Sequence, residues 1–257
     1  AKNFVLGISL MMIVLFTLFM LVYGGINGYV GLRAWQWLQV VVPLQVPSGV
    51  YWVGFWLVAG APIVARIIAG RAPRALTGVL SQIGDYWFAV FFYALLLLVA
   101  MDLMRLGLRL SGIMSVGQLD ARLFVGATGA AIALVLVGVL AYGTWRARTP
   151  VITDYEITID KPAGRHRELT AVLISDTHLG YTNGIARVRE LGTLSNDLKP
   201  DLVLIAGDLL DDDLQPFLAA DMASELGRLE APLGVYAIMG NHDVRTGELP
   251  IFRAEIE

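Results

Sequence analysis

Cysteine is absent from the chain. That absence excludes a disulfide framework, a thiol nucleophile and any zinc site built on thiolates, and it leaves the redox environment unspecified. Charge is scarce as well. Only 16% of the 257 residues are Asp, Glu, Lys or Arg, against 56% hydrophobic, a balance too apolar for an ordinary water-soluble protein. Histidine occurs three times, at His166, His178 and His242, and neither an internal repeat nor a low-complexity tract is present.

The scarce charge is unevenly placed. Residues 1–145 carry eight Lys or Arg and three Asp, whereas 146–257 carry eleven Lys or Arg and nineteen Asp or Glu, so the halves differ in sign at +5 and −8. The shift places a boundary near Trp145, giving a membrane domain over 1–148 and a polar domain over 149–257. The polar part is acidic and lacks the basic footprint that phosphate backbones require, which argues against a nucleic acid partner.

A helix crossing a bilayer needs about twenty mainly apolar residues, because lipid offers no partner to backbone N–H and C=O groups. Residues 4–23, "FVLGISLMMIVLFTLFMLVY", meet this without one charge and are too long and uniform for a cleaved signal core, so they read as a retained anchor. Further spans are expected at 50–69, 86–106 and 123–145, a membrane anchor of about four helices. Pro43, Pro47, Ser48 and Gly49 punctuate the chain before the second span. Between the first two, "GLRAWQWLQVVV" offers Trp35, Trp37 and Leu38 and suits an interfacial segment. With four spans both termini share a side. Lys2, Arg66, Arg71, Arg74, Arg146 and Arg148 then face one way and Arg33, Arg105, Arg109 and Arg122 the other, which points to a cell-membrane, multi-pass protein with its polar domain in the cytoplasm. Asp102 and Arg105, three residues apart, read as an ion pair near a helix end.

Past Arg148, Val151, Thr153, Tyr155, Ile157 and Ile159 alternate with other residues, and Pro162, Ala163 and Gly164 suggest a hairpin turn into a second strand ending at Asp176. "NGIARVRELGTLSNDL" reads as a helix, "LVLIAGD" as a strand, "PFLAADMASELGRL" as a helix and "PLGVYAIMGN" as a strand. Strand and helix alternating through short turns predict an α/β domain with parallel strands. Ligands gather beyond the carboxyl ends of such strands. Here those ends read "SDTHLG", "GDLLDDD" and "GNHD", each polar after an apolar run. Asp176, His178, Asp208, Asn241 and His242 are therefore expected at one edge of the sheet. Donors at i and i+2 off one strand end can hold a divalent ion, and a carboxylate from the next strand can bridge it to a second. Two ions about 3.5 to 4 Å apart would polarise a phosphoryl group from both sides. The bland reading of the same residues is a set of turn and cap groups.

Three ordered motifs, Asp176-x-His178, Gly207-Asp208-x-x-Asp211 and Gly240-Asn241-His242-Asp243, resemble those of the calcineurin-like metallophosphoesterase family, over about residues 168–250. Many spans followed by such a domain look like its bacterial membrane-associated branch. The resemblance implies the first half of a metallophosphoesterase β-sandwich flanked by helices. It implies that Asp176 and His178 bind one divalent metal ion, that Asp208 bridges two, and that Asn241 binds the second. His242 would then stabilise the phosphoryl transition state or protonate the leaving oxygen, with Asp211 orienting it, and a metal-bridged hydroxide would attack in line. The ions would be manganese, iron or zinc, which mixed Asp, His and Asn ligands accept alike.

The family completes its site with a later histidine and a Gly-His-x-His motif, whereas fifteen residues follow His242 here. The chain is thus expected to be part of a longer protein with an incomplete catalytic domain. Among the remaining polar residues, Asp212 and Asp213 are expected to cap the next helix or face solvent, and His166 to sit on the surface. Thr177 is either a turn hydroxyl or a substrate contact. The expected activity is that of a membrane-anchored, dinuclear-metal phosphoesterase. Its substrate would be a phosphomonoester or phosphodiester, small or lipid-linked, with the lipid bilayer as its other partner. The competing expectation is a non-catalytic membrane sensor or transport element carrying an incomplete metal- or partner-binding domain.

Overall fold

A computed structural model describes residues 2–42, 46–69, 71–161, 167–211 and 213–257. Pro43, the turn residues Pro162, Ala163 and Gly164, His166 and Asp212 lie outside the described residues. The chain divides into two compact units, Ala1–Thr153 and Asp154–Glu257.

The first unit is helical: α1 (Lys2–Val41), α2 (Ser48–Ile68), α3 (Arg74–Leu110), α4 (Val116–Leu119) and α5 (Arg122–Arg148). Four stretches, Met11–Val41, Ser48–Ile68, Ala75–Leu110 and Arg122–Arg148, are long and apolar enough to cross a membrane. Their outward faces are apolar too, with Leu21, Leu57, Leu103 and Leu134 all more than 60% exposed, as lipid-facing residues would be. Helix starts coincide with prolines, Pro47 before α2 and Pro73 before α3. Ser115 and Gln118 close a reciprocal capping box at α4, with Gln118 N–H donating to Ser115 Oγ and Ser115 N–H to Gln118 Oε1.

Two expectations are corrected in this unit. "GLRAWQWLQVV", expected as a separate segment between two spans, is instead the continuous last three turns of α1. Trp37 lies flat enough on α5 that a Cβ on Gly129 would sit 2.1 Å from its ring, and its Nε1–H donates to the Gly126 carbonyl at 3.2 Å. The indole belongs to a helix-helix contact, which aromatic composition alone cannot distinguish from an interfacial position. Asp102 pairs across helices rather than with Arg105. It accepts from the Arg33 guanidinium at 2.5 Å and the Tyr29 hydroxyl at 2.7 Å, joining α3 to α1. Arg105 turns to Asp120 at 2.7 Å instead. A third polar link runs from the half-buried Trp87 indole to Oδ1 of the fully buried Asn27 at 3.0 Å, and Asn27 Nδ2 donates to the Tyr23 carbonyl.

The second unit holds β1 (Ala171–Ile174), α6 (Ile185–Asp197), β2 (Leu202–Ala206), α7 (Gln215–Ala219), α8 (Met222–Leu226), β3 (Val235–Ile238), α9 (Asn241–Arg245) and α10 (Leu249–Ile256). The sheet is parallel, in the order β1-β2-β3, with Leu173 opposite Leu204 and Leu204 opposite Tyr236. Val203 and Ile205 face a core formed with Val188 of α6, Phe217 of α7, Met222 of α8 and Phe252 of α10. Phe217 and Phe252 meet edge to face, 5.4 Å between centroids. Glu225, 8% exposed, receives Arg189 and Arg228 and so fastens α8 to α6.

The helix expected over "PFLAADMASELGRL" is two short ones, broken where Asp221 takes a left-handed φ of 51°. The expected hairpin is not formed among the described residues. Residues 151–160 run without strand pairing, Tyr155 and Ile157 being 83% and 78% exposed. Alternation marks an extended chain, but a strand needs a neighbour to complete its ladder, and β1 takes its ladder from β2.

Candidate metal centre

Because the three strands are parallel, their carboxyl ends open on one edge, and each is followed by one of the polar motifs. The first two motifs continue side by side beyond the sheet. Asp176 N–H donates to the Gly207 carbonyl at 3.2 Å, His178 N–H to Asp208 O at 3.1 Å, Leu179 N–H to Leu209 O at 2.7 Å, and Asp211 N–H returns to Leu179 O at 3.0 Å. The Thr177 hydroxyl donates to the Leu209 carbonyl at 3.1 Å, which makes it part of this ladder. Asn183 Nδ2 donates to the Thr177 and His178 carbonyls from the far side of the loop.

The third motif closes on the second. His242 N–H donates to Asp208 Oδ1 at 2.9 Å. Gly240 passes so near that a Cβ there would lie 2.1 Å from Asp208 Oδ1, so the approach requires glycine. Asp243 is fully buried and accepts from Leu210 N–H and Gly240 N–H, both at 2.8 Å.

Three expected site residues have a left-handed backbone, Asp176 at φ 53°, His178 at 42° and Asp208 at 50°. Asp, Asn and His tolerate that region better than most residues, and its use at a cluster of polar side chains is characteristic of functional sites.

The result is a compact donor group. One ligand atom each from His178, Asp208 and His242 falls within 4.8 Å of the others, and all three residues are half-buried. The two imidazole rings stand 4.6 Å apart and nearly perpendicular, at 85°. Two ring nitrogens and a carboxylate are a donor set that suits a divalent transition-metal ion. Asp176 lies on the same loop as His178, exposed, with Ser175 Oγ hydrogen-bonded to its carboxylate. Asn241 begins α9 immediately before His242 and is exposed. Asp211 Oδ1 lies 3.9 Å from His178 Nδ1, beyond hydrogen-bond length. Asp243 is the residue that motif reading quoted without a role. Its signal was its place three residues after a glycine at a helix start, where a carboxylate reaches back to the cap.

Residues 169–256 match the family described as calcineurin-like phosphoesterase. A "Transmembrane protein with metallophosphoesterase domain" from Danio rerio is 32% identical over 219 residues, covering 84% of this chain and 46% of that protein. An alignment of that length extends well into the helical unit. The protein of the same name from Bos taurus is 33% identical over 40% of this chain and 23% of its own length. A "UDP-2,3-diacylglucosamine pyrophosphatase LpxG" from Chlamydia muridarum is 29% identical over 48% of this chain and 38% of its own. The chain spans less than half the length of these relatives. No solved structure gives a significant match.

Proposed function

Since residues 169–256 belong to the calcineurin-like phosphoesterase family, we propose that this membrane protein is a metal-dependent phosphoesterase acting on a lipid-linked phosphodiester or diphosphate, its polar unit in the cytoplasm. The observation that carries the reading is the convergence of His178, Asp208 and His242, from three separate strand ends, within 4.8 Å.

Asp176, His178, Asp208 and Asn241 are the residues that would hold two divalent ions. When bound, such ions supply positive charge against phosphoryl oxygens and lower the pKa of a water. Asp208 is held for that duty by the His242 N–H on Oδ1. His242, whose Nδ1 is shielded from solvent, would stabilise the phosphoryl transition state or give a proton to the leaving oxygen. Asp211, at the rim of the group with Oδ1 3.9 Å from His178 Nδ1, is the carboxylate that would orient His242. The lipid-linked substrate follows from the apolar unit, which confines the site to the neighbourhood of a bilayer, and from the relative whose name specifies a diacylglucosamine pyrophosphatase.

In the full-length protein, Asp208→Asn and His242→Ala are each expected to lower manganese-dependent hydrolysis of a chromogenic phosphodiester by at least about a hundredfold, on the scale of lost acid-base or metal chemistry, with membrane insertion intact. Unchanged turnover in both variants would overturn the site. A lipid-linked diphosphate should be cleaved faster than its water-soluble headgroup analogue in the same micelles, and equal rates would remove the substrate assignment.

A further inference from the structure

Asp243 makes two bonds of different kinds. The bond from its Oδ2 to Gly240 N–H is local, three residues back, and is what an acidic residue in the first turn of α9 ordinarily does. The bond from Oδ1 to Leu210 N–H is not local: it spans 33 residues and lands two positions beyond Asp208. One carboxylate thereby joins the "GDLL" loop to the "GNHD" turn, and it is 0% exposed while doing so.

Beside it, the His242 N–H bond to Asp208 Oδ1 crosses the same gap. Asp208 and Leu210 on one side and His242 and Asp243 on the other are thus joined by two hydrogen bonds, of 2.9 and 2.8 Å, and a third, of 2.8 Å, ties Asp243 back to Gly240 on its own side. Two of the three end on Asp243. A carboxylate accepting two backbone N–H groups out of water is a strong, directional clamp. It is closed off from solvent and each of its oxygens accepts a backbone N–H, so it acts on the reaction through the groups that it holds.

We propose that Asp243 is a positioning residue that sets the distance between Asp208 and His242, and hence both metal affinity and turnover; this rests on the phosphoesterase reading above. Asp243→Asn is the test, because the amide keeps the volume but can accept at one of the two N–H groups and must oppose the other. In detergent-solubilised full-length protein, its manganese affinity by calorimetric titration should fall about tenfold, the range found when residues supporting metal ligands are changed. At saturating manganese, kcat on a chromogenic phosphodiester should fall by about ten- to a hundredfold with KM moved by less than about threefold, as misplacement of reacting groups predicts. Phe217→Leu, a core lesion in the same unit at a ring that packs edge to face on Phe252, serves as the comparison. It should lower thermal stability at least as much and leave manganese affinity within about twofold, since it removes none of the hydrogen bonds that join the motifs. Wild-type affinity in Asp243→Asn, or an equal loss in Phe217→Leu, would overturn the inference while leaving the phosphoesterase reading standing. Wild-type protein that neither binds manganese nor hydrolyses the ester would overturn both. Should Asp243→Asn fail to fold, amide exchange in the wild type decides: Leu210 and Gly240 N–H should be protected, and exchange at exposed-loop rates would overturn the clamp.

Discussion

Left-handed backbone at a non-glycine residue costs on the order of 1–3 kcal/mol, and Asp176, His178 and Asp208 all adopt it within a few ångströms of one another. The rest of the fold must hold them there. Part of that hold is the ladder between the first two motifs, and part is the near contact between Gly240 and Asp208. A methyl group at position 240 would meet Asp208 Oδ1 at 2.1 Å and its backbone nitrogen at 2.3 Å, so rotating the carboxylate would not relieve it. Gly240→Ala is therefore expected to destabilise the unit by about 1–3 kcal/mol, the usual cost of overpacking, and to weaken manganese binding roughly tenfold or more. Gly192, inside α6, has nothing within 4 Å of the same methyl. Gly192→Ala should stabilise by about 0.4–1 kcal/mol. Thermal melts and manganese titration of the two variants measure this, and effects of the same sign in both would contradict the contact.

At the scale of elements, what the sequence made legible was local. Apolar runs identified α2, α5 and the three strands, and polar residues at three strand ends marked where the motifs converge, because loops at a parallel sheet's edge leave a pattern along the chain. What stayed hidden depended on a neighbour. Nothing in "WQWLQVV" says that Trp37 meets Gly129 of α5, residues 151–160 alternate without a ladder, and Asp221 breaks one helical stretch in two. Asp243 closed the third motif without a role, and its bond to Leu210 became visible only once β2 and β3 were adjacent. Asp102 is the same case in the membrane unit, since its partners Tyr29 and Arg33 are on α1, about seventy residues away. A charged group among apolar helices must find such a partner. Asp102→Ala should lower the thermal stability of the detergent-solubilised protein by roughly 1–3 kcal/mol, because it strands the Arg33 guanidinium. Asp102→Ala combined with Arg33→Met should lose less than the two single changes summed. Additivity to within about 0.5 kcal/mol would mean that α1 and α3 are not coupled through this pair.

For the whole molecule, the open physical variable is the side of the membrane on which the acidic unit lies, and the absence of cysteine supplies the means to measure it. Four crossings put the segment between α3 and α4 on the opposite face from the segment after α5. Ile113 represents the first and is 71% exposed, and Tyr155 represents the second at 83%. The basic residues favour the cytoplasm for the latter by six to four. In intact cells a membrane-impermeant maleimide should therefore label Ile113→Cys and spare Tyr155→Cys until the cells are permeabilised. Labelling of Tyr155→Cys alone would invert the protein and place the polar unit outside the cell, against the proposed cytoplasmic location. Labelling of both, or of neither before permeabilisation, would mean an odd number of crossings between the two positions is wrong, so that α5 lies along the bilayer instead of through it. With none of its 27 residues fully buried and its apolar span long enough for the hydrocarbon core, α5 is expected to cross, and the two labels to differ.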